Sequence, residues 1–267
     1  MKNFPSLKKV RLALFDIDGT IFRSSLLIEL FNELVRVGVF PPRARQEVEH
    51  SFQRWLDRKG HYNDYLHRLV HVHYRYHKAV AQAAVLPAAR RVIGWQKNRV
   101  YRYTRDLVGR LRSQGYLLLA ISGSPSYIVD LFAKEWGFDA AFGRTLEVRD
   151  GIYTGRILTC GEPMPVIANL GKREIVERFI AERGLNVDFR DCIAVGDSEG
   201  DLELLESVGH PIAFNPSKEL ARIAMRRRWK VIVERKNVVY RLHKADILTA
   251  AEPAGVSMYK RSPRRRS

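Results

Sequence analysis

Residues 10–20 read Val-Arg-Leu-Ala-Leu-Phe-Asp-Ile-Asp-Gly-Thr. The segment opens as a near-continuous apolar run, the pattern of a strand buried on both faces of a parallel sheet. It ends in two carboxylates, Asp16 and Asp18, followed at once by Gly19 and Thr20. Acids delivered by a buried strand are costly unless they meet a cation or a reacting group. In open α/β sheets, ligands bind at the carboxyl ends of the strands. The tip of this strand is therefore a candidate catalytic metal site. Asp-Gly is also a common turn pair, so the segment alone leaves an ordinary turn open.

The 267 residues can bury a sizeable core in one large or two smaller domains. Cys160 and Cys192 offer neither a disulfide framework nor metal-ligand spacing. No apolar segment precedes the first strand, and no stretch approaches the ~20 apolar residues that cross a bilayer. The expectation is a cytoplasmic protein. The net charge of +17 is unevenly spread. Residues 23–105 hold sixteen basic and six acidic side chains, a net +10, and residues 256–267 hold five basic and no acidic ones. Such a surface steers anions without saying which.

Past Thr20 the pattern turns helical. Ser24-Ser25 can cap a helix carrying Leu26, Leu27, Leu30, Phe31, Leu34 and Val35, stopped by Gly38. Pro41-Pro42 open a second helix that ends at Gly60. A third is expected from about Asn63 to about Val85, broken by Pro87, and a long amphipathic stretch from about Ala88 to Ser113. This much helix between two strands exceeds an ordinary connection, so it reads as a small domain of its own. On the third helix, His67 and His71 share a spacing of four, as do His73 and His77. A zinc site would use such pairs, but no cysteine lies near, and partly exposed histidines on a basic helix are the favoured reading.

A second buried strand, Tyr116–Ile121, runs into Ser122-Gly123-Ser124-Pro125 and then a helix to Trp136. Small hydroxyls and glycine ahead of a helix N-terminus suit a phosphate. Residues 145–158 read as a β-hairpin around Asp150-Gly151. Lys172 starts a further helix, against the dipole preference, a conflict that a bound anion would remove. Asp191–Val195 is a third buried strand, ending in Gly196-Asp197-Ser198-Glu199-Gly200-Asp201. His210–Phe214 and Lys230–Val233 follow as strands, and the basic tail from about Glu252 reads as disordered.

Four end-of-element signals thus follow one another: Asp-x-Asp-Gly-Thr, Ser-Gly-Ser, Lys, and Gly-Asp-x-x-x-Asp. In this order, over residues 8–235, they resemble the haloacid dehalogenase superfamily, in its phosphoserine-phosphatase-like branch with a helical cap. The resemblance implies an α/β fold, a Rossmann-like doubly wound parallel sheet with an inserted all-helical cap domain. Residues 1–22 and 106–250 would form the core, 23–105 the cap, and 252–267 the tail. It implies a Mg²⁺-dependent phosphatase acting on a small phosphomonoester through an aspartyl-phosphate. Asp16 would be the nucleophile and Asp18 the general acid and base. Ser122, the backbone N–H of Gly123, and Lys172 would hold the phosphate. Asp16, Asp197 and the backbone carbonyl of Asp18 would bind Mg²⁺, with Asp201 supporting them.

The chemistry is physically coherent. A carboxylate and a dianionic phosphate repel each other, and a hard cation with a lysine offsets that charge. A carboxylate nucleophile divides one hard displacement into two easier ones. An acid at position 18 argues against dehalogenation. The branch's phosphoserine enzymes carry an acidic residue shortly after the first motif, facing the substrate ammonium. Here Phe22-Arg23-Ser24-Ser25-Leu26-Leu27 brings no acid until Glu29, which disfavours phosphoserine. The basic cap suggests a more anionic substrate. A second hypothesis keeps the fold but makes the protein a basic module that binds nucleic acid or an anionic membrane surface through cap and tail.

Overall fold

A computed structural model describes residues 9–159, 162–164, 171–236 and 238–242. A short strand β1 (Lys9–Val10) leads into β2 (Leu12–Phe15). Four helices follow: α1 (Leu26–Arg36), α2 (Arg43–Leu56), α3 (Tyr62–His77) and α4 (Gln82–Gln96). Helix α5 (Arg102–Ser113) returns the chain to the sheet at β3 (Leu117–Pro125), then α6 (Ser126–Glu135) and β4 (Ala140–Arg149). Strands β5 (Ile152–Thr159) and β6 (Glu162–Met164) extend the hairpin. The last part alternates: α7 (Lys172–Glu182), β7 (Asn186–Val187), β8 (Ile193–Gly196), α8 (Leu202–Ser207), β9 (His210–Phe214), α9 (Lys218–Arg226), β10 (Lys230–Arg235) and β11 (Val238–Leu242).

The main sheet has the order β11-β10-β9-β8-β2-β3-β4-β5-β6. The six strands from β10 to β4 are parallel, and β11, β5 and β6 pair antiparallel. The fold class is the expected doubly wound α/β sheet. Alternation along β2 shows why. Ala13 and Phe15 join the apolar cluster on one face, with α1, α4 and α6. Leu12 and Leu14 join the other, with Val176 of α7, Leu204 and Leu205 of α8 and Leu220 of α9. A strand apolar on both sides can only sit between two helical layers. From β2 the chain builds outward through β3 and β4, and later from β8 through β9 and β10. The reversal between β2 and β8 opens the crevice where such sheets bind ligands.

The inserted helices depart from expectation in three respects. First, α3 ends at His77 and α4 starts at Gln82, ahead of Pro87, which lies inside α4. The break comes from a long-range pairing. Ala79 N–H donates to the Tyr153 carbonyl (2.9 Å), Tyr153 N–H to Val80 (2.9 Å), and Gln82 N–H to Gly151 (2.8 Å). These bonds pin residues 79–82 to the hairpin, whose turn at Asp150 and Gly151 has both φ angles positive, 50° and 75°. In α4's second turn, Pro87 lacks one helical N–H. Second, the stretch from 88 to 113 is two helices. Tyr101 N–H donates to Ile21 (2.9 Å) and Arg23 N–H to Arg99 (2.9 Å). The outgoing and returning connections therefore run side by side, and residue 105 falls within α5.

Third, two of the histidines are core residues. His67 and His71 are exposed, but His73 and His77 are fully buried, their rings 4.3 Å apart among Phe40, Tyr74 and Tyr153. His77 Nε2 pairs with the Tyr127 hydroxyl at 2.9 Å. Burial pushes His77 down to about 4, so it is neutral and packs as an aromatic ring. Buried side chains of α1, α3 and α4 form one continuous apolar cluster with that face of the sheet. Among the described residues no helix is long and apolar enough to cross a membrane. Cys160 and the tail from Glu252 lie outside the described residues.

Candidate active site

Asp16 leaves the end of β2, and its N–H donates to the Val195 carbonyl of β8 at 2.9 Å. This places its carboxylate in the crevice between the two strands. Lys172, the first residue of α7, reaches it from the side: Nζ lies 2.6 Å from Asp16 Oδ1 and 2.5 Å from Asp201 Oδ1. All three side chains are buried. The conflict between Lys172 and its helix dipole is thus answered by two carboxylates. Asp201 Oδ2 in turn accepts from the N–H groups of Asp197 (3.0 Å) and Ser198 (3.1 Å), which shapes the loop after β8.

One carboxylate oxygen, Asp16 Oδ2, is buried with no hydrogen-bond partner among the described residues. Ligand oxygens of Asp16, Asp197 and Asp201 lie within 4.8 Å of one another. Three acids therefore face one lysine. Burial, with the charges of Asp201 and Asp18, pushes the Asp16 carboxyl up to about 8, although Lys172 opposes the shift. Burial and the charge of Asp16 push Asp197 well above the usual range. Burial would lower the Lys172 ammonium, but Asp16 and Asp201 more than offset it and hold it charged. A buried excess of negative charge around an unpartnered oxygen, built from hard oxygen donors, fits a divalent cation such as Mg²⁺. Gly19 lets the chain close over this site. Its φ is +82°, and a Cβ there would stand 2.1 Å from Asp197 Oδ2.

Asp18 faces the other wall. Its Oδ2 accepts from the hydroxyls of Ser122 (2.5 Å) and Ser124 (2.8 Å), and its Oδ1 from the Leu26 N–H (2.5 Å). The next N–H of α1, Leu27, donates to Ser124 Oγ at 3.0 Å. Ser25 occupies the N-cap position of α1 but its hydroxyl makes no cap bond. The cap of α1 is therefore supplied across the site by Asp18 and Ser124. A Cβ on Gly123 would meet nothing within 4 Å, so the turn after Ser122 opens onto free space. Asp16 and Asp18 follow β2, Ser122 and Gly123 lie in the last part of β3, Asp197 follows β8, Asp201 caps α8 and Lys172 opens α7.

A family model described as haloacid dehalogenase-like hydrolase matches residues 13–206, from β2 into α8. The chain is a haloacid dehalogenase-like hydrolase. It is 27% identical over 224 residues to the phosphoserine phosphatase of Methanocaldococcus jannaschii, covering 83% of this chain and 94% of that protein. It is 27% identical over 217 residues to that of Archaeoglobus fulgidus, covering 81% of this chain. The chain spans about half the length of the latter, 56%. Among solved structures, a Bordetella pertussis protein of unknown function shares 25% identity at a TM-score of 0.67, covering 84% of this chain and 98% of that one. A phospho-aspartyl intermediate analogue of phosphoserine phosphatase shares the fold at a TM-score of 0.55, with 23% identity and coverage of 86% and 95%. This hydrolase therefore belongs with the phosphoserine-phosphatase-like branch.

One residue of the site, Ser124, went unassigned in the sequence. It stands in the Ser-Gly-Ser tract but carries no separate signal of its bonds to Asp18 and to the Leu27 N–H.

Proposed function

We propose that this protein is a Mg²⁺-dependent phosphatase that hydrolyses a small phosphomonoester through an aspartyl-phosphate on Asp16. The observation that carries the reading is the unpartnered, buried Asp16 oxygen beside Lys172 at the strand-order reversal. Asp16, Asp197 and the backbone carbonyl of Asp18 would hold Mg²⁺, with Asp201 fixing the loop and Lys172. The ion, when bound, offsets the repulsion between the carboxylate and the phosphoryl oxygens.

Ser122, the Gly123 N–H and Lys172 bind the phosphoryl oxygens. An Asp16 oxygen forms a bond to phosphorus as the ester P–O bond breaks, and Asp18 gives its proton to the leaving alkoxide. Asp18, now a carboxylate, takes a proton from water. That water attacks phosphorus, the Asp16–phosphorus bond breaks, and inorganic phosphate leaves. Helices α1 to α4 would roof the site as a cap over the sheet. A substrate entering beneath them requires the Asp18 and Ser124 contacts with α1 to loosen.

Phosphoserine is the less favoured substrate, although relatives bear that name. Glu29, the first acid past the motif, accepts from Ser24 (2.7 Å), Gln96 (2.8 Å) and Arg99 (3.0 Å). The polyanion-binding alternative weakens, since Arg36 and Arg91 pair with Glu33, and Arg68 and Arg75 with Glu47. The test is phosphate release from phosphoserine, sugar phosphates, nucleotides, phosphocholine and a phosphorylated oligonucleotide, with Mg²⁺ and with EDTA. Metal-dependent release from a small ester is expected. Folded protein that releases phosphate from none of them would contradict the reading.

A further inference from the structure

The segment that leaves the catalytic loop carries an arginine held against that loop by its backbone. Gly19 N–H donates to the carbonyls on either side of Arg23, Phe22 (3.0 Å) and Ser24 (3.1 Å), while Arg23 N–H donates to Arg99 (2.9 Å). The side chain is exposed, and no carboxylate pairs with its guanidinium among the described residues. It lies over the Tyr101 ring, 5.6 Å from the centroid. Tyr101 is tied to the segment after the first motif by its N–H, which donates to the Ile21 carbonyl (2.9 Å), and its ring packs on Phe214 at the end of β9, centroids 5.0 Å apart. The turn after β9 ties to the site through Ser217 N–H, which donates to the Asp197 carbonyl at 2.7 Å.

The acids on the flanking segments are engaged elsewhere: Glu29 accepts from Ser24, Gln96 and Arg99, and Glu234 from the N–H groups of Arg102 and Tyr103. The segment next to the catalytic loop therefore presents an exposed guanidinium on an aromatic face, with no carboxylate paired to it among the described residues. An ammonium group there would meet a like charge, whereas a carboxylate or phosphate would gain a charge-assisted, bidentate partner. Such a guanidinium on an aromatic face is already oriented, so little side-chain freedom is lost on binding.

We propose that Arg23 reads a second anionic group on the leaving alcohol, so that the preferred substrate is a phosphomonoester carrying an additional carboxylate or phosphate and no ammonium. The inference rests on the phosphatase reading above, and its test separates the two. Steady-state kinetics with Mg²⁺ would compare 3-phosphoglycerate with glycerol 3-phosphate, and fructose 1,6-bisphosphate with fructose 1-phosphate. The first pair isolates a carboxylate and the second a phosphate. O-phosphoserine and phosphoethanolamine add the ammonium.

In at least one pair the anionic member should have a kcat/KM higher by about tenfold or more, mostly through KM. O-phosphoserine should fall below 3-phosphoglycerate by a similar factor. In Arg23→Gln the ratio within that pair should drop towards one, and Arg23→Lys should restore part of it. A purely structural role would lower both members together and leave the ratio intact. Equal values within both pairs, a preference for O-phosphoserine, or a ratio unmoved in Arg23→Gln would overturn the proposal. Calorimetric binding of the same ligands to Asp16→Asn gives the ratio without turnover. Absence of all turnover contradicts the phosphatase reading, while an absent preference in binding contradicts the Arg23 reading.

Discussion

At Asp16 a nucleophile has been buried where its charge is unwelcome. The carboxyl rises from 3.8 to about 8 because it is desolvated and faces Asp201 and Asp18, with only Lys172 opposing. A folded-state pKa above the unfolded one means that the fold favours the protonated acid. Stability from this group is complete below about 4 and is lost as pH rises through about 8. From pH 5 to pH 8 this group should therefore cost the metal-free protein stability to urea that the Mg²⁺-bound protein does not lose, and saturating Mg²⁺ should add about 2–3 kcal/mol when present at a hundred times its Kd. Urea titrations with EDTA and with Mg²⁺ at both pH values check this. A change in stability from pH 5 to pH 8 that is the same with EDTA as with Mg²⁺ would contradict the electrostatics of the site.

The start of α1 is where an element and the site share the same bonds. Ser124 accepts from Leu27 N–H and donates to Asp18, so Ser124→Ala removes a cap and an orienting contact together. The expected cost is about 1 kcal/mol of stability, read by denaturation, with a fall in kcat as Asp18 loses a donor. Unchanged stability and kcat would show that Asp18 and α1 are held independently of Ser124. Helix α3 answers to acid. His77 is neutral in the fold, with its pKa near 4 through burial, and would take a proton near 6.5 when unfolded. A depressed pKa of this kind gives stability that is complete above about 6.5 and lost as pH falls towards 4. With Mg²⁺ present, thermal melts should fall across that window, and less so in His77→Phe. These elements also mark where the sequence was legible. Asp16, Asp18 and Asp197 follow the apolar runs of β2 and β8, Ser122 follows the apolar run inside β3, Lys172 opens α7 and Asp201 caps α8, places that periodicity locates. The break at residues 78–81 was not legible, because it is set by bonds to Tyr153 and Gly151 some seventy residues away, while the local signal, Pro87, pointed past it. His73 and His77 looked exposed because spacing along a helix does not say which face meets the hairpin.

For the whole molecule, the sheet order decides what the helices can do. The reversal between β2 and β8 opens one crevice, and Leu26 at the start of α1 and Ser122 and Ser124 of β3 bond Asp18 across it. The first and last motifs are more than 180 residues apart in sequence, yet Lys172 bonds to both. The central claim is that phosphate passes through a covalent bond to Asp16. Quenching the protein during turnover with borohydride reduces an aspartyl-phosphate to homoserine, which peptide mass spectrometry locates. The account predicts homoserine at position 16, with Mg²⁺ and substrate present, and none with EDTA or in Asp16→Asn. Steady phosphate release with an unmodified Asp16, or with the reduced residue at another position, would contradict it.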